Sequence, residues 1–116
     1  EGLVLPAGRL VAVDLVPADH PQKPVLEAYV ADYAKAYNSP VSSFGGYAHD
    51  AFALVLEAVG KGGSAKPADI RDNLEKIAGF PGVSGVYTFS PDNHNGLDES
   101  AFIMVTIKNG TWNVTE

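Results

Sequence analysis

Residues 42–51, Ser-Ser-Phe-Gly-Gly-Tyr-Ala-His-Asp-Ala, bring two serines, a histidine and an aspartate close together. Those types are the nucleophile, base and orienting carboxylate of hydrolytic chemistry, with Ser43, His49 and Asp50 as the set to weigh. The spacing opposes that reading. On a helix, consecutive residues point about 100° apart, so His49 and Asp50 are not expected to face each other as a base and its orienting group must. No nucleophile-elbow pattern surrounds Ser42 or Ser43. Asp50 is better suited to stabilise the positive N-terminal end of a helix.

Two other constellations resolve as quickly. Asp92, Asn93, Asn95, Asp98 and Glu99 cluster around Gly96, but calcium-loop register needs an Asp where Pro91 stands. The cluster reads as a polar connection between strands. His20, His49 and His94 show no i, i+4 pair, and the chain has no cysteine. Zinc sites, thiol nucleophiles and disulfides therefore find no support, and nothing calls for a cofactor.

These side chains must be placed by a chain of 116 residues, 46% hydrophobic and 19% charged, enough for one small core. Its formal charge is −6, and its eight Lys and Arg residues form no run or stripe. That argues against nucleic acid and anionic lipid as partners and leaves small solutes open. No apolar run approaches the length of a membrane span. The chain starts at Glu1 without an initiator Met or signal-like segment, and reads as a processed product or an excised piece.

Apolar spacing predicts β-leaning pieces at Leu3–Leu5 and Leu10–Val16, the second a strand or extended crossover. A helix is expected from about Gln22 to Tyr37, ended by Ser39-Pro40. After an extended piece, Val41–Phe44, a second helix is expected from Gly46 to Val59, apolar on nearly every side, with a glycine C-cap in Gly-Lys-Gly-Gly. A third runs from Pro67 to Ala78, and Val86–Phe89 is a strand. Ala101–Lys108 and Thr111–Val114 form a hairpin across Asn109-Gly110, with Ile107 opposite Trp112. The class is α/β, with too few strands for a complete doubly wound sheet and more apolar helix surface than these strands can cover.

In order, the chain carries Tyr47 to Ala51 opening a helix, Ile70 to Leu74 in a short helix, a Phe80 to Gly85 turn, a Thr88 to Gly96 strand and loop, and Gly110 to Trp112 closing a hairpin. This pattern resembles the carboxy-terminal part of the periplasmic branched-chain-amino-acid-binding family, the solute receptors of ABC importers. The resemblance covers essentially the whole chain. It implies a fragment of the two-lobed type I periplasmic-binding-protein fold, with residues 1–20 as strand and hinge, 21–80 as the helical part and 81–116 as strands and hairpin. It implies no catalysis.

The same resemblance implies a periplasmic or extracellular location, lipid-anchored in some arrangements, and a membrane permease as partner. The ligand would be a branched-chain or other amino acid, or an aromatic or organic acid. In the family the loop before the second helix lies at the cleft, so Ser43, Phe44, Gly45 and Tyr47 are the expected ligand-binding residues. Sequence reasoning supports the place, since a strand end, two glycines and a helix N-terminus favour a carboxylate. Tyr47 also fits as simple core filling. Self-association through uncovered apolar faces is expected, and a ligand-sensing domain or a small serine hydrolase stand as alternatives.

Overall fold

The computed structural model describes residues 1–115; Glu116, the last position of the expected strand-and-hairpin segment, lies outside the described residues. Three strands, β1 (Val4–Gly8), β4 (Phe102–Lys108) and β5 (Thr111–Val114), form an antiparallel sheet in the order β1-β4-β5. Gly8 pairs with Phe102 and Val4 with Thr106, so the two ends of the chain build one sheet. The hairpin forms as expected: Ile107 faces Trp112, and Asn109 and Gly110 take φ of 54° and 72°. The Glu1 carboxylate accepts the N–H groups of both turn residues, at 3.1 and 3.0 Å.

β1 runs further than expected, through Pro6 to Gly8. Proline lacks a ladder donor, and an edge strand tolerates it. Leu10–Val16 is not a strand. Arg9–Leu15 is a pair of tight 3-10 turns broken at Ala12 (φ −142°, ψ 47°). Its alternating apolar pattern also places Leu10 and Val13 one 3-10 turn apart, and both join a core of Val16, Leu26 and Val83. Tertiary burial decides the conformation there.

The helices are α1 (Lys23–Tyr37), α2 (Ser43–Gly62) and α3 (Pro67–Leu74). α1 ends at Asn38 in a left-handed conformation, one residue before the Ser39-Pro40 stop. Its Tyr29, Tyr33 and Tyr37 stack in a row, with ring centroids 5.8 and 4.7 Å apart. Leu26 on the same helix has no exposed surface, which contributes about 2 kcal/mol.

α2 begins earlier than expected, so Ser43 and Phe44 are helical rather than extended. The reason is Ser42, an N-cap whose Oγ accepts the Gly45 N–H at 3.2 Å. Gly63 (φ 63°) caps the other end, as the sequence implied. α2 buries one stripe, Gly46, Asp50, Leu54 and Ala58, while Phe44, Phe52 and Leu56 stay exposed. α3 stops at Leu74 because the chain tightens into i→i+3 bonds, Lys76 N–H to Asn73 and Ile77 N–H to Leu74.

A second, two-stranded ladder joins β2 (Phe80–Pro81) to β3 (Val86–Tyr87). The expected strand at Val86–Phe89 is thus half ladder. Beyond Tyr87 the backbone bonds elsewhere, Thr88 N–H to Gly96 and Phe89 N–H to Ile77. Leu54, Ala58, Ile77 and Tyr87 form the second core, against which Phe89 packs.

Candidate functional site

The N-terminus of α2 gathers the residues expected to meet a ligand. Ser43 is the first helical residue after the Ser42 cap. Phe44 is 84% exposed, and its ring meets Tyr47 edge-on at 6.3 Å and 85°. Gly45 packs close to α1, where a Cβ would come to 2.9 Å from the Tyr29 hydroxyl. Gly46 lies so close to Leu10 and Val83 that a Cβ would approach them to 2.7 and 3.2 Å. The helix start is thereby seated on α1, on the 3-10 segment and on the turn after β2. The exposed Phe44–Tyr47 pair thus stands at a helix N-terminus, where the Gly45 N–H is already taken by Ser42 Oγ.

His49 and Asp50 correct the sequence reading twice. Adjacent residues on a helix were not expected to meet, yet His49 Nδ1 lies 3.3 Å from Asp50 Oδ1. A short carboxylate and a rotatable ring bridge the angle between their Cβ directions. Asp50 is also too far into α2 to act on its first turn, which contains no acidic residue. It is fully buried, and its oxygens accept the N–H groups of Val83 (2.8 Å) and Ser84 (2.7 Å) and the Tyr87 hydroxyl (3.1 Å). Gly82 permits this approach, for a Cβ there would sit 2.6 Å from Asp50 Oδ2.

Asp50 is therefore the anchor of the Gly82–Gly85 turn. Burial, with Asp50 beside it, pushes the Tyr87 hydroxyl up to about 12. The Tyr29 hydroxyl is also raised, by burial first and then by Tyr33 and Asp50. His49 turns its ring toward Tyr29, with centroids 4.8 Å apart, and among the described residues no serine hydroxyl bonds it. The hydrolytic set is not assembled.

Sequence reasoning missed Asp50 as a clamp, and with it Gln22 and Arg9. Gln22 is 1% exposed and donates through Nε2 to the Gly82 carbonyl at 2.8 Å. Arg9 Nη1 contacts Gln22 Oε1 at 3.4 Å. A signal was present: a lone aspartate inside an apolar helix needs donors, and Phe80 to Gly85 is rich in free amides. A concavity of about 440 Å³ lies away from Phe44, between Leu54 and Val55 of α2, Leu74 of α3, and Phe89. Glu75 on its rim accepts from Arg71 and lies within 3.1 Å of His94 Nε2. Its walls are mostly apolar helix flank, with Arg71, Glu75 and His94 also lining it.

A family profile described as periplasmic binding protein matches residues 6–111. The chain belongs to the periplasmic-binding-protein family. Two extracellular ligand-binding receptors from Rhodopseudomonas palustris HaA2 are similar at 29% and 27% identity, with TM-scores of 0.87 and 0.84. They align over 99% and 100% of this chain but 34% and 35% of their own. A leucine-binding protein, LivK, from Thermotoga maritima MSB8 shares the fold at 20% identity and a TM-score of 0.69, over 100% of this chain and 30% of its own. No curated protein matches. The chain is an α/β fragment of a type I periplasmic-binding fold and spans about a third of the length of these solved structures.

Proposed function

We propose that the protein is the solute-binding component of an ABC importer, taking a small ligand between two lobes and passing it to a membrane permease without transforming it. The three-stranded sheet belongs to one lobe and the helical part, from α1 to the loop after β3, to the other. Ser43, Phe44, Gly45 and Tyr47 form one wall of the cleft, and the ligand is an amino acid, branched-chain or other, or an aromatic or organic acid. It works in the periplasm or outside the cell, with or without a lipid anchor. Among the described residues no helix is long and apolar enough to cross a membrane.

The observation that carries this reading is the exposed Phe44–Tyr47 pair on a capped helix N-terminus, beside the segment that joins the helical part to the sheet. An apolar ligand part packs on Phe44, and a carboxylate meets the helix start, an interaction of about 0.3–1 kcal/mol. Aligned ligand-binding receptors support the role, and membership in the family supports the location.

Calorimetric titration of the whole protein with aliphatic amino acids, aromatic amino acids and aromatic acids tests the proposal. One class is expected to bind stoichiometrically, and Phe44→Ala to weaken it about tenfold or more, by removal of a desolvated aromatic contact. Failure of every class to bind, or an unchanged affinity in Phe44→Ala, sinks the assignment of this wall.

A further inference from the structure

The chain has 14 Asp and Glu against 8 Lys and Arg, so a cation with no carboxylate beside it stands out. Of the two arginines, Arg71 holds Asp72 and Glu75. Among the described residues no carboxylate lies within ion-pair distance of Arg9. Its Nη1 donates to the Ser100 carbonyl and to Gln22 Oε1, while Nη2 and Nε form no hydrogen bond among the described residues. Those two nitrogens make the guanidinium edge that holds a carboxylate through parallel bonds. Burial lowers the proton affinity of Arg9 from its ordinary value, so the charge is partly out of water without a counter-charge.

Arg9 lines a pocket of about 260 Å³, and the one other polar residue lining it is His20. Val16 and Pro17, which follow the 3-10 segment, Ile103 of β4 and Val114 of β5 make the remaining walls apolar. His20 Nδ1 accepts the Gln22 N–H at 3.2 Å, so the neutral ring carries its proton on Nε2, a donor with no partner among the described residues. Burial first and Arg9 second lower the proton affinity of His20, against an opposing pull from Asp19. No carboxylate lines the pocket, so an ammonium entering it would face Arg9 without a partner. The volume of about 260 Å³ matches about nine water-sized groups, room for a small acid and not for a peptide.

We propose that this pocket is a second binding site, for a small organic monocarboxylate with an apolar body: Arg9 pairs with the carboxylate, His20 donates to it, and the body packs among Val16, Pro17, Ile103 and Val114. The site is separate from the wall on α2 and does not depend on it. It selects a simple acid over an amino acid of the same carbon skeleton.

Isocaproate, which is leucine without its amino group, is the probe, titrated into the whole protein while the His20 ring signals are followed by NMR. A saturable shift is expected, together with a rise in the proton affinity of His20 in the bound state, because an anion beside it favours the imidazolium. Binding therefore takes up protons and strengthens as pH is lowered through the His20 range. L-leucine is expected to bind this site at least about tenfold more weakly, and Arg9→Met, which keeps the apolar stem, to weaken isocaproate by a similar factor. Phe44→Ala is expected to leave the His20 response unchanged. Should Arg9→Met fail to fold, Val114→Glu sets a fixed carboxylate beside the pocket from a strand position 47% exposed, and is expected to abolish the response. No saturable shift at His20, or leucine binding there as well as isocaproate, overturns the site and leaves the α2 wall to its own titration. A response lost in Phe44→Ala but kept in folded Arg9→Met or Val114→Glu overturns it too, and places the acid at α2.

Discussion

The turn at Gly82–Gly85 and the loop at Ser90–Gly96 are held by the same chemistry, an oxygen of a short polar side chain accepting backbone N–H groups. They differ in where that oxygen comes from. In the loop the acceptors are local and exposed: Ser90 Oγ takes the N–H groups of Asp92 and Asn93, and Asn93 Oδ1 those of Asn95 and Gly96. In the turn the acceptor is Asp50, buried and more than thirty residues away in sequence. A local clamp competes with water at every bond and shapes only its own segment. A buried long-range clamp replaces water entirely, so its loss leaves several donors unpaired in a dry site and detaches a helix from a turn.

The comparison can be broken by mutation. Asp50→Ala is expected to cost about 3–5 kcal/mol, because two amides and a hydroxyl lose their acceptor together. Urea denaturation measures it, and a loss no larger than that of Asn93→Ala would show that the buried clamp is worth no more than the local one. Tyr87→Phe removes one of the three donors and is expected to cost about 1 kcal/mol at neutral pH.

That variant also carries a pH signature. An unfolded tyrosine ionises at about 10, whereas folded Tyr87 holds its proton to about 12. Above pH 10 the unfolded state therefore loses protons that the folded state keeps, and stability falls as pH rises toward 12. Tyr87→Phe removes that part of the alkaline loss, which denaturation curves across this range will show. Asn93→Ala has the smallest expected effect, about 0.5–1 kcal/mol, since water replaces the lost acceptor.

What the sequence disclosed and concealed follows the same division. Local chemistry was legible: Gly63 as a helix cap, Asn109-Gly110 as a turn, Ile107 opposite Trp112. Each depends on residues within a few positions. The 3-10 turns at Arg9–Leu15 were concealed because alternation alone does not tell a strand from short turns packed on Leu26 and Val83. The earlier start of α2 was visible in Ser42 but was outweighed by the extended reading of Val41–Phe44. The place of the candidate wall came from a helix N-terminus, which sequence marks well. The role of Asp50 depended on a turn far along the chain, and only the fold brings the two together.

Finally, the aromatic residues divide by colour as well as by position. The one tryptophan, Trp112, stands on β5 of the sheet, while all five tyrosines lie in the helical part, three of them in the row along α1. Within these residues the sheet and the helical part carry separate intrinsic chromophores. Tryptophan emission follows the environment of one, tyrosine absorbance that of the other, and energy passed from tyrosine to tryptophan depends on how far apart the two are held.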